Sequence, residues 1–143
     1  MERGKGAARI LGIDYGKART GLAISDPTGA FAFELEMLPG GEGPLIERVR
    51  ALMADYSLER AVMGFPRRTD GRGSDWADEC ERVAGRIRAE CGLEVILRDE
   101  RYTSVLAGQM LNETGARRQK RKSRLDTLSA AILLQDYLDE RLR

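Results

Sequence analysis

The chain of 143 residues contains no histidine. That one absence excludes Ser–His and Cys–His catalysis, histidine-ligated zinc and the helical zinc-protease motif. A catalytic site here has to be built from carboxylates, Lys, Arg, Tyr and hydroxyls. Cysteine is scarce as well: Cys80 and Cys91 form neither a disulfide framework nor a metal set. They share one stripe of a predicted helix, which reads as core packing. No apolar run approaches the ~20 residues of a bilayer-spanning helix, and the opening MERGKGAAR has no apolar leader segment. Together these absences give the expectation of a cytoplasmic protein with no membrane partner. Phosphate loops are missing too. Gly12 to Lys17 is one residue short of a Walker A spacing and lacks a hydroxyl after the lysine, and Gly40 to Gly43 reads as a turn. Nor is there an excess of charge of one sign. The net charge of +1 excludes a generally basic, DNA-coating chain, so what matters is where the charges sit.

What is present is enough for one domain with a real core. No repeat, linker or low-complexity segment divides residues 1–143, with 1–7 read as a flexible tail. The organising stretch is Arg9 to Asp26, RILGIDYGKARTGLAISD. It reads as an apolar strand ending in Asp14, a turn over Tyr15 to Ala18, and a returning strand over Thr20 to Ser25. Alternation puts Gly12, Asp14 and Gly16 on one face and Leu11 and Ile13 on the other. The first face is stripped of bulk, which suits close approach of a polyanion or a metal-bound phosphate. The competing reading is that Asp14 simply opens a turn.

Further strands are predicted over Ala30–Leu38, with Phe31, Phe33 and Leu35 on one face, and over Arg60–Phe65 and Glu94–Arg98. Helices are predicted after Pro44, over Trp76–Cys91 with Gly92 as the stop, from Thr103 to Gly115, and from about Ser123 to Leu142. The pattern describes an α/β fold with a mixed five-stranded sheet. Three antiparallel N-terminal strands precede strands joined by helices, which should be parallel. Sites in such sheets lie beyond the carboxyl ends of parallel strands. Asp14 ends the first strand and Glu100 ends the last, so a shared site is expected there. Asp126 joins them, being on a stripe with Ala130, Leu133 and Tyr137, where an acid is costly unless paired or metal-bound. Its competing reading is a capping box, Ser123-x-x-Asp126. Three carboxylates suit Mg²⁺ or Mn²⁺, as one or two ions. The basic run RRQKRKSR, contributing Arg117, Arg118, Lys120, Arg121, Lys122 and Arg124, precedes Asp126 and would hold a phosphate backbone with little sequence preference.

GIDYGKARTGLAISD, the Asp99-Glu100-Arg101 triplet, Gly64-Phe65-Pro66 with Asp70-Gly71, and Asp126-x-x-Ser-Ala before Leu133-Leu134-Gln135 resemble the YqgF family. These are Holliday-junction-resolvase-like bacterial proteins assigned to maturation of the 5′ end of pre-16S ribosomal RNA. The likeness runs from about residue 8 to 140. It implies a ribonuclease-H-like fold, metal-dependent phosphodiester hydrolysis, and Asp14, Glu100 and Asp126 as catalytic and metal-binding acids. Lys17, Arg19, Arg101, Thr103 and the basic run would contact nucleic acid. Tyr102-Thr103-Ser104 stands where the family usually has Leu-Thr-Thr, and Ser129 where it has alanine. A fourth acid is found in the wider fold, but alternation sends Asp99 away from Glu100.

The leading expectation is an endonuclease on precursor 16S rRNA, acting as a monomer or weak dimer on RNA or ribosomal particles. Cleavage of branched DNA is the alternative substrate, and a non-catalytic RNA-binding assembly factor the alternative class. Phosphotransfer of the sugar-kinase type needs two such lobes, and 143 residues supply one.

Overall fold

Strand β1 (Arg9–Asp14) is central because both of its faces are covered by protein. The computed structural model describes residues 7–65, 74–99 and 118–141, with side chains of the last segment described from Thr127 onward. β1 pairs antiparallel with β2 (Arg19–Ser25), which pairs antiparallel with β3 (Ala32–Pro39). On its other side β1 runs parallel to β4 (Leu58–Phe65), and β4 parallel to β5 (Glu94–Asp99). The order β3-β2-β1-β4-β5 is the mixed five-stranded sheet expected from the sequence.

Two helices cover one face. α1 (Glu42–Asp55) buries Leu45, Ile46, Val49 and Leu52, and α2 (Ser74–Cys91) buries Cys80, Val83, Ala84 and Ile87. They close over Leu11, Ile13, Leu22, Ala61, Met63 and Val95. Cys80, buried, and Cys91, half-buried, lie on this stripe. α2 stops where Gly92 takes φ +69°, a left-handed backbone that its missing Cβ makes cheap, and its amide donates to the Arg88 carbonyl.

α3 (Arg118–Arg141) covers the opposite face, packing Ala130, Leu133, Leu134, Tyr137 and Leu138 on Ile10, Ala23 and Val62. Its approach to β1 is close. A Cβ built on Gly12 would lie 2.9 Å from Leu134 Cβ and 3.0 Å from the Ala130 carbonyl oxygen. Gln135 fastens the helix to the sheet edge, accepting from the Ala32 amide and donating to the Ala30 carbonyl, each at 2.8 Å. Among the described residues no helix is long and apolar enough to cross a membrane.

Two expectations are corrected. β3 begins at Ala32 rather than Ala30, because residues 26–31 close the β2–β3 hairpin. The Asp26 carboxylate accepts from the amides of Thr28, Ala30 and Phe31, and Gly29 takes φ +76°. Leu35 packs on the core, but Phe31, in the turn, and Phe33, on the edge strand, are 62% and 56% exposed. α3 begins at Arg118, five residues before the expected Ser123. Apart from Ser123 the charge run consists of Arg, Gln and Lys, which are good helix formers, and neither Gly nor Pro interrupts it. Ser123 therefore lies inside the helix, and the capping-box reading of Asp126 falls. The helix predicted from Thr103 to Gly115 lies outside the described residues.

Candidate active site at the strand ends

The parallel strands β1, β4 and β5 end together at Asp14, Phe65 and Asp99, in a register that aligns Ile13 with Met63 and Met63 with Leu97. Asp14 alternates with Ile10 and Gly12 and so belongs to the α3 face, where it is half-buried. In β5, Val95 and Leu97 pack on the α1/α2 side and Ile96 on the α3 side. Asp99 thus falls on the α1/α2 side by alternation, away from the face of Asp14. Glu100, Arg101, Thr103 and Arg117 lie outside the described residues.

The direction of α3 decides where its acid belongs. The Tyr137 hydroxyl accepts from Arg60 Nη1 at 2.9 Å, and Arg60 is level with Ile10 near the start of β1. Two turns earlier, Ala130 stands against Gly12. As its numbering falls, α3 therefore runs toward the Asp14 end of β1. The backbone of residue 126, one turn before Ala130, lies on that course. So do the backbones of Arg118, Lys120, Arg121, Lys122 and Arg124, in the first turns of the helix.

The turn after Asp14 is held by backbone bonds. The Gly41 amide donates to the Gly16 carbonyl and the Gly40 amide to the Ala18 carbonyl, at 3.1 and 3.0 Å. A Cβ on Gly16 would meet the Arg19 carbonyl oxygen at 2.2 Å, and one on Gly40 the Lys17 carbonyl oxygen at 2.1 Å. This corrects the reading of Gly12 and Gly16 as a surface left bare for a ligand. Gly12 makes room for α3, and Gly16 makes room for the turn. Lys17 projects exposed from that turn, and Arg19 opens β2 half-buried. Among the described residues no three Asp, Glu or Cys side chains cluster to hold a metal, and those of Glu100 and Asp126 are not among them.

On the other side of the same strand end lies a feature that sequence reasoning missed. Tyr15, Lys17, Gly41, Asp75, Trp76 and Glu79 line a cavity of about 390 Å³. The rings of Tyr15 and Trp76 stack at 5.2 Å and 2°, and Lys17 Nζ stands 5.3 Å over the indole. The Tyr15 hydroxyl donates to Glu79 Oε2 at 3.0 Å. Burial, and then the Glu79 carboxylate, push the phenol well above its ordinary pKa, so it stays a donor. Arg82, bonded to Glu79, holds that carboxyl below its usual range. The only sequence signal was that Tyr15 continues the alternation of Leu11 and Ile13 onto the α1/α2 face.

Nearly the whole chain is similar to proteins named as nucleases or resolvases. A family model described as "RuvX: Holliday junction resolvase" matches residues 8–140. A protein of Lachnospira eligens named "Putative pre-16S rRNA nuclease" is 34% identical over 137 residues, which cover 93% of this chain and 98% of that one. One of the same name from Ruminiclostridium cellulolyticum is 38% identical over 133 residues, covering 92% and 94%. Among solved structures, Thermus thermophilus RuvC in complex with a Holliday junction substrate superposes with a TM-score of 0.57 at 16% identity, covering 94% of this chain and 96% of that one. The fowlpox virus Holliday junction resolvase gives 0.52 at 14% identity, covering 94% and 99%. These likenesses fix the fold as ribonuclease-H-like, of the RuvC type. With its sheet order, its strand-end aspartate and a family match over nearly its whole length, the chain belongs to the RuvX family, the group also called YqgF.

Proposed function

We propose that the chain is a divalent-metal-dependent endonuclease that matures the 5′ end of precursor 16S ribosomal RNA. The observation that carries the reading is the contact of Ala130 with Gly12, which sends α3 toward the strand end bearing Asp14. The name shared by the full-length relatives supplies the substrate. Asp14, Glu100 and Asp126 would hold the ion through carboxylate oxygens, and an all-oxygen donor set suits Mg²⁺ or Mn²⁺. A bound ion of that kind supplies a water activated near neutral pH and stabilises the leaving oxygen, the task for which no histidine is available. Lys17, Arg19, Arg101 and Thr103 would take phosphates, and so would the basic turns of α3. That is a backbone-reading set, whose specificity must come from RNA shape or a ribosomal partner. The site would work in the cytoplasm.

The test is cleavage of a precursor 16S 5′ end beside a four-way DNA junction, each with Mg²⁺, Mn²⁺ or EDTA. Wild type should cut the RNA only with metal, and Asp14→Asn and Asp126→Asn should lose at least about 100-fold in rate while still folding. Wild-type cleavage by Asp14→Asn would sink the assignment. The description of the family model and the RuvC neighbour favour branched DNA as the second reading. A symmetric junction needs two active sites, hence a dimer. Junction cleavage with dimeric sedimentation would replace the RNA reading; RNA binding without any cleavage would favour an assembly factor.

A further inference from the structure

The cavity beside Trp76 is not used by the chemistry at Asp14. Its ingredients are a stacked aromatic pair, one exposed cation and two carboxylates, at the strand end where Asp14 faces the opposite side. Tyr15 is nearly closed off at 5% exposure, whereas Trp76 is only half-buried, so the indole keeps surface to offer. A half-open indole backed by a second ring is a stacking platform, and bases splayed from single-stranded RNA stack on such rings with a cation nearby. A volume of about 390 Å³ falls within the range of small-ligand sites. The carboxylates select what enters. They repel phosphate, and they accept hydrogen bonds from groups such as the amino edge of cytosine, adenine or guanine. Uracil offers one N–H between two carbonyl oxygens, which a carboxylate repels. Glu79 is engaged by Tyr15 and Arg82, while Asp75 stands exposed on the wall.

We propose that the Tyr15–Trp76 cavity binds one unpaired, amino-bearing nucleobase of the RNA, read by Asp75, while Lys17, exposed on its lining, turns to the adjoining phosphate. The proposal rests on the nuclease reading for the nature of the ligand and adds a base preference to a site otherwise built to read backbone.

Trp76 is the only tryptophan in the chain, so its emission reports the cavity directly. The experiment titrates the full chain with the tetranucleotides rA₄, rC₄ and rU₄ in EDTA, where no cleavage runs. Quenching by rA₄ and rC₄ at about 10-fold lower concentration than by rU₄ is expected. Asp75→Asn should abolish that preference, since an amide both donates and accepts. With fluorescein-labelled rA₄ read by anisotropy, Lys17→Ala and Trp76→Phe should each weaken binding several-fold, the phenylalanine keeping the core filled. No quenching by any of the three, or equal quenching by all with Asp75→Asn unchanged, overturns the proposal. Preference for amino-bearing bases with no cleavage of precursor RNA would retire the nuclease reading and leave the cavity standing. Cleavage without quenching would do the reverse.

Discussion

Replacing Gly12 by alanine adds one methyl group where α3 meets β1. The new Cβ would sit 2.9 Å from Leu134 Cβ and 3.0 Å from the Ala130 carbonyl oxygen, both fixed to the helix backbone and unable to rotate away. Overpacking of this kind costs about 1–3 kcal/mol, and the rigidity of both neighbours places it in the upper half. Against that, Gly→Ala stiffens the unfolded chain and stabilises by about 0.4–1 kcal/mol. The net expectation is a loss of about 1–2 kcal/mol. With about 2.1 cal/mol/K of unfolding entropy per residue over 143 residues, each kcal/mol moves the melting midpoint by about 3 °C, so Gly12→Ala should melt about 3–7 °C lower. Gly85, inside α2 with nothing within 4 Å of its virtual Cβ, is the control. The same substitution there should stabilise by about 0.5–1 kcal/mol, since alanine is the better helix former. Urea unfolding of both variants with an unchanged slope measures the pair. A midpoint for Gly12→Ala equal to or above wild type would refute the claim that α3 rests directly on β1, and with it the placement of residue 126 near the Asp14 strand end.

Three other substitutions read the fold independently. The buried hydroxyl of Ser129 finds no hydrogen-bond partner among the described residues, so Ser129→Ala should stabilise by about 1 kcal/mol and raise the melting midpoint by about 3 °C; a lowered midpoint would mean that the hydroxyl is satisfied. Ser25 Oγ accepts the Ile10 amide at 2.8 Å where the β1–β4 register slips, and Ser25→Ala, leaving that buried amide unpaired, should cost about 1–3 kcal/mol in urea unfolding. Asp26 is held at about 2, first by the Thr28 hydroxyl and then by backbone amides. Its carboxyl thus titrates lower folded than unfolded, so its contribution is complete above about pH 4 and is lost as the pH falls toward 2. Melting curves should therefore show wild type exceeding Asp26→Asn above pH 4 and the gap closing by pH 2; a gap independent of pH would refute the assignment.

What was legible in the sequence was local. Alternation in RILGID, the helical stripe from Trp76 to Cys91 and the glycine stop at Gly92 each depend on neighbours within a few residues, and each element formed where its pattern put it. The sequence starts α3 at Ser123 because that residue opens a capping-box pattern, although the charged residues before it favour a helix once the following turns are anchored on the sheet. Gly12 shows the sharper limit. A sequence reports that a side chain is missing but not what fills the space, and here the filler is a helix more than a hundred residues downstream. The Tyr15–Trp76 cavity is of the same kind, since nothing in either local pattern relates a turn after β1 to the first turn of α2.

One residue step at the end of β1 separates two chemistries. Pleating sends Asp14 toward α3 and Tyr15 toward α2, so the same strand end presents a carboxylate to one face and an aromatic platform to the other. The turn that follows cannot drift, because Gly40 and Gly41 bond its carbonyls and the close approach of Gly40 to Lys17 admits no larger residue. That turn carries Lys17 into the lining of the cavity, over the Trp76 ring, while the β1–β2 register fixes Asp14 opposite Gly21. An edge with two outlets is what the proposed function calls for, since the phosphate contacts proposed there carry no sequence information. On the proposed function, the phosphate to be cut would be taken on the Asp14 face and a neighbouring base on the Tyr15 face, two faces tied together by adjacent residues at the end of β1.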